Sequence, residues 1–119
     1  MAIDITKLQD ITGFIGGCVV DSDSGMMLAA VGGGNGFDLE VAAAANTEVV
    51  KAKLRAMQAL GLADSIEDIL ISLGTQYHLI RPMAKNPTIF IYVAVDRKTA
   101  NLALARTQVK AVEGALKIS

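Results

Sequence analysis

The sequence holds one cysteine, one histidine, two prolines and no tryptophan in 119 residues, and aromatic residues make up 4% of it. Cys18 by itself can neither close an internal disulfide nor build a cysteine cage for zinc, which fits a reducing compartment. With His78 as the sole imidazole, every metal or general-base scheme would have to use it. Neither sign of charge dominates, since 11 Lys plus Arg stand against 12 Asp plus Glu. No broad field therefore draws in nucleic acid or an anionic membrane surface. Nowhere do roughly eighteen apolar residues run together, and the opening MAIDITKLQD has no basic stretch leading into an apolar one, so neither a membrane span nor a signal peptide is expected. These absences describe a soluble, cytoplasmic protein that neither binds nucleic acid nor inserts into a membrane.

What is present is apolar: 52% of the residues, enough for one domain over residues 1–119. Ile5, Leu8, Ile11 and Ile15 recur at three- and four-residue spacing, which predicts a short amphipathic helix stopping near Gly13. FIGGCVV and MMLAAV flank the turn-rich DSDSG and read as a β-hairpin with Gly25 in its turn. Asp38 can cap a long helix that runs to Gly61. One stripe of that helix, Leu39, Ala43, Val50, Leu54 and Met57, suits a sheet. A second, Ala45, Val49, Ala52, Ala56 and Ala59, advances alternately by four and three residues, the spacing of a helix–helix seam, and its small side chains allow close backbone approach. A further helix should lie against it. IEDILISL, QYHLIRPM and TIFIYVAV then read as a strand meander whose last member, apolar almost throughout, is central and covered on both faces. Asp96 can cap a final helix carrying Leu102, Ala105, Val109, Val112 and Leu116 on its core face. The element order expected is α-β-β-α-β-β-β-α.

Candidate chemistry is sparse. GGGNG before the long helix invites a phosphate-cradle reading. A phosphate loop, however, needs lysine and a hydroxyl after its glycines, and Phe37 and Asp38 stand there. Asp38 would put negative charge at the mouth, so a mobile connection fits better. DSDSG begins like a calcium loop but has Gly25 one place early and Gly32 where a bidentate glutamate is needed. Cys18 lies in an apolar strand with no base beside it, and alternation sends Glu67 and Asp68 to opposite sides of a strand. A small hydrolase using Cys18, His78 and hydroxyls is the weakest reading. No catalytic, metal or cofactor site is expected. Glu48, Lys51, Arg55 and Gln58 share the remaining side of the long helix, and both a solvated face and a partner-docking face fit them.

The opening ITGFIGGCVVDSDSGMMLA, the alanine-rich helix and the closing IYVAVDRKTANLALARTQVKAVEGAL together resemble the Roadblock family, the dynein light-chain-7 class, over nearly the whole chain. The likeness is closer to stand-alone bacterial and archaeal members than to dynein subunits. It implies an α+β fold: a five-stranded, mostly antiparallel sheet with the long helix on one face and the terminal helices on the other. It also implies a homodimer formed through the long helix and the strand after it. That maps onto Ala45, Val49, Ala52, Ala56 and Ala59 and onto residues 66–73, including Ile69 and Ile71. Bacterial relatives act beside small Ras-like GTPases as activators or scaffolds, with the nucleotide held by the GTPase, so the expected function is a non-enzymatic regulator. A small-ligand sensor of similar layered fold is the alternative. Arg81, before Pro82, is the nearest candidate for an arginine reaching into a partner.

Overall fold

A computed structural model describes residues 3–118. Its five strands are β1 (Phe14–Asp21), β2 (Met26–Gly32), β3 (Ile69–Ser72), β4 (Gln76–Pro82) and β5 (Ile89–Asp96), and its α-helices are α1 (Leu39–Ala59) and α2 (Leu102–Ala115). The strands form one sheet in the order β2-β1-β5-β4-β3, and every neighbouring pair is antiparallel.

The α+β class stands, but the element order is β-β-α-β-β-β-α behind a 3-10 turn, not one that begins with an α-helix. The expected opening α-helix is a 3-10 helix, Thr6–Asp10. Ile5, Leu8 and Ile11 are spaced by three, which eclipses them on a helix of three residues per turn. Leu8 N–H donates to Ile5 O and Ile11 N–H to Leu8 O, both bonds spanning three residues. Ile15, counted with this helix in the sequence, belongs to β1.

Alternation along β5 builds the two halves of the core. Ile91, Val93 and Val95 face one layer, with Ile5, Leu8 and Ile11 of the opening turn and Ala105 and Val109 of α2. Phe90, Tyr92 and Ala94 face the other, with Cys18, Val20 and the α1 residues Ala43 and Val50. Both layers therefore meet on the central strand, whose residues Ile89–Val95 are all buried. β1 is interrupted on its outer side: Val19 pairs with Ala29 and Val20 with Met27, so Leu28 has no partner, a β-bulge.

Asp38 Oδ1 accepts from the N–H groups of Glu40 (2.9 Å) and Val41 (3.3 Å), capping α1 as its place before the helix suggests. At the other end Leu62 N–H reaches back to Met57 O and Gly61 N–H to Gln58 O, with Gly61 at φ +70°. This is a Schellman closure. Asp96 does not cap α2. It closes the turn after β5, accepting from Lys98 N–H and Thr99 Oγ1. Asn101 caps α2 through Leu104 N–H (3.1 Å), because the chain spends the intervening residues leaving the sheet.

The backbone at Gly61 generates a prediction. A Cβ there would meet no atom within 4 Å, so only its left-handed φ resists a side chain. Gly61→Ala should lower stability by about 1 kcal/mol in urea denaturation with an unchanged m-value. Gly74→Ala, equally free of contacts and outside the left-handed region, should be neutral or slightly stabilising.

Candidate interaction surface

Ala43 and Val50, each 1% exposed, seat α1 on the sheet with Leu39 and Met57. Asn46 and Thr47 are buried on the same side, where the sequence reading did not place them. Both satisfy themselves within the helix, Asn46 Nδ2 donating to Ala42 O and Thr47 Oγ1 to Ala43 O at 2.8 Å. Leu54, assigned to the sheetward stripe, is 45% exposed, although Val50 before it and Met57 after it are buried.

On the far side of α1 the second stripe is open. Ala45, Ala52, Ala56 and Ala59 are exposed and Val49 is half-buried, and no other described element covers them. The strip is longer than the sequence reading made it. Val41, one turn before Ala45, is 63% exposed and Leu60, just after Ala59, is 69% exposed. Their apolar character and one-turn spacing were the available signal.

Beside this strip lies the free edge of β3, shorter than the run 66–73 suggested. Ile69 and Ile71 are half-buried against the same cluster as Val49. Leu73 N–H bonds to Gln76 O, and Ile71 opposes His78 and Ile69 opposes Ile80. By alternation Leu70 and Ser72 direct their own N–H and C=O away from β4. Two arginines hold this edge, one from α2 and one from the turn after β5. Arg106 makes a bidentate pair with Asp68, both bonds 2.9 Å. Arg97 donates to Leu73 O at 2.9 Å and lies over the Tyr77 ring, 5.2 Å from its centroid.

The polar group on α1 is only partly brought together. Lys51, Arg55 and Gln58 line a shallow depression of about 400 Å³ with Leu54 and Leu62, and Glu48 stands outside it. Arg81 does not project: its Nε donates to Glu113 Oε1 at 2.9 Å, and both residues are buried. The ion pair with α2 uses the charge that a projecting arginine would need to keep free.

The glycine run is a built turn, not an open connection. Gly34 and Phe37 exchange both backbone bonds at 2.9 Å around Asn35-Gly36, and both central residues have positive φ, the hairpin geometry that Asn-Gly favours. Phe37 then meets His78 edge-on at 6.2 Å. His78 sits in a short relay: Tyr92 OH donates to Nδ1 (3.1 Å), and Nε2 donates to Gln76 Oε1 (2.7 Å). Burial lowers the His78 pKa below its ordinary 6.5 and pushes the Cys18 thiol up to about 12, far from nucleophilic use at neutral pH. Among the described residues no group of three or more His, Cys, Asp or Glu could hold a metal ion. No helix among them is long and apolar enough to cross a membrane.

No protein-family model matches the sequence, and no curated protein matches it. Solved structures do match the fold. Myxococcus xanthus MglB superposes with a TM-score of 0.78 at 16% identity, covering 91% of this chain and 77% of that one. A Roadblock/LC7 domain from Streptomyces avermitilis gives 0.78 at 11% identity, covering 92% and 87%. The gliding protein MglB from Thermus thermophilus gives 0.75 at 14% identity, covering 90% and 78%. The fold is that of the Roadblock/LC7 and MglB proteins.

The relay around His78 predicts a pH dependence. Because the folded state disfavours the imidazolium, the unfolded chain takes up this proton first as pH falls below 6.5. The stability held by neutral His78 is complete above that value and is lost progressively beneath it, down to the folded-state pKa. NMR titration of the ring should give a midpoint below 6.5, and His78→Gln should flatten the stability curve in that window. Cys18 should alkylate with iodoacetamide only after denaturation.

Proposed function

We propose that this chain forms a homodimer through α1 and β3 and acts, without catalysis of its own, as a regulator or scaffold for a small Ras-like GTPase. The observation that carries the proposal is the open strip on α1, Ala45, Val49, Ala52, Ala56 and Ala59, lying beside the unpaired edge that carries Ile69 and Ile71. A twin subunit would cover the strip with its own α1 and extend the sheet from Leu70 and Ser72. Side chains as small as alanine let two helices approach closely, and a strand edge supplies hydrogen bonds with direction.

The partner class comes from the Roadblock resemblance, which the shared fold supports. Glu48, Lys51, Arg55 and Gln58 are the residues proposed to meet the GTPase. They are charged or amide-bearing and lie on the side of α1 not used by the sheet. The nucleotide belongs to the GTPase. With Arg81 committed to Glu113, this chain supplies no arginine from that position to the transferring phosphate. It would act by orienting the GTPase's own groups, since phosphoryl transfer responds chiefly to positioning and electrostatics.

Two measurements test this reading. Ala52→Glu would bury an unpaired carboxylate between helices, so light scattering should report monomer where the parent chain gives dimer. A parent chain that is monomeric at high concentration would overturn the dimer. Mixing the chain with a small Ras-like GTPase encoded in the same genome should yield a complex on gel filtration, weakened by Arg55→Glu. If no such GTPase binds or changes its hydrolysis rate, the regulatory role fails even if the dimer stands.

A further inference from the structure

Between the C-terminal half of α1, the segment 64–67 and the β4–β5 connection lies a groove of about 520 Å³. Its walls are apolar: Val50, Leu54, Ile66, Pro82, Met83 and Pro87. Leu54, which fails to reach the sheet, stands at its side, 45% exposed. Close by, Leu62 remains 52% exposed after closing α1. A groove of this size, walled by large apolar side chains, is of the kind that receives an inserted side chain.

The charge around the groove is uneven. Asp64 and Glu67 line it, and the Glu67 side chain is 72% exposed. Arg81 is the cation in the lining, and its Nε is held by Glu113, leaving Glu67 at 4.0 Å. The last turn of α1 carries no basic residue to offset the negative end of the helix. Asp64 also lines the adjoining depression with Lys51, Leu54 and Arg55, and Asp64 and Glu67 line a further one with Lys53 and Ile69. The groove itself is thus greasy within and acidic at its mouth.

We propose that this groove is a docking site for a short peptide segment of a partner protein that inserts apolar side chains against Leu54, Ile66 and Met83 and sets a lysine or arginine against Asp64 and Glu67. The complementarity lies in charge as well as shape. An apolar segment with acidic residues would meet two carboxylates at the entrance, whereas a basic one neutralises them. The groove lies apart from the α1 strip but shares Leu54 and Asp64 with the depression that holds Lys51, Arg55 and Gln58, so it is tested on the chain alone, with no GTPase present.

The probes are two fluorescein-labelled peptides, one alternating leucine with lysine and the other leucine with glutamate, titrated by fluorescence anisotropy. The leucine–lysine peptide should bind saturably, and the leucine–glutamate peptide about tenfold more weakly or not at all. Leu54→Ser, at a position already half in water, should weaken the basic peptide about tenfold with circular dichroism and oligomeric state unchanged. Asp64→Asn with Glu67→Gln should bring the two peptides to similar affinities and reduce the salt dependence of the basic one. Amide shifts on binding should fall on residues 50–54, 64–67 and 81–87. Equal affinity of both peptides for the parent chain, binding unaltered by the two sets of substitutions, or shifts that fall elsewhere would each overturn the proposal.

Discussion

The contact between one side of α1 and the alternate residues of β1, β4 and β5 is the constraint from which the rest follows. Ala43 and Val50 are nearly sealed against Cys18, Val20, Ile80 and Tyr92. Ala43 leaves the backbone close to the sheet at that point, while Leu39 and Met57 hold the two ends. A helix fixed in rotation by those contacts has no choice about where its other residues point. The alanine strip faces away, and the charged residues take one flank.

The opposite layer contributes at a distance. α2 packs through Ala105, Val109 and Val112 on the other face of the sheet, yet its Arg106 reaches round to Asp68, just ahead of β3. Arg97, from the turn that follows β5, holds Leu73 at the other end. A four-residue edge strand would fray easily on its own. Side chains anchored in a second layer instead fix the direction of its free hydrogen-bonding groups. Glu113 extends the same logic to the β4–β5 connection, accepting from Arg81 and from Ala84 N–H.

Much of this was legible in the sequence because each signal was strong and local. Asp38 and Gly61 mark both ends of α1, and β5 is apolar at every place where two layers must meet. The misreadings have physical causes. Ile5, Leu8 and Ile11 fit a three-residue period as well as a longer one, and only the hydrogen bonds decide between them. Asp96 and Asn101 are both good caps, and the choice depends on how many residues the chain needs to leave the sheet. Leu54 fits the sheetward stripe by periodicity, but periodicity carries no information about which positions of a stripe the neighbouring layer covers. The glycine run hid an Asn-Gly hairpin within an apparently unstructured stretch. The arginine and carboxylate pairings, Arg106 with Asp68 and Arg81 with Glu113, join residues 38 and 32 positions apart and leave no local trace.

The bulge at Leu28 gives the two rims of the sheet different fates. The rim at β3 pairs with β4 in unbroken register and is braced by two arginines, whereas the rim at β2 carries a residue with no counterpart on β1, and a bulge of this kind bends its strand. Growth that begins at the first rim finds no regular template at the second.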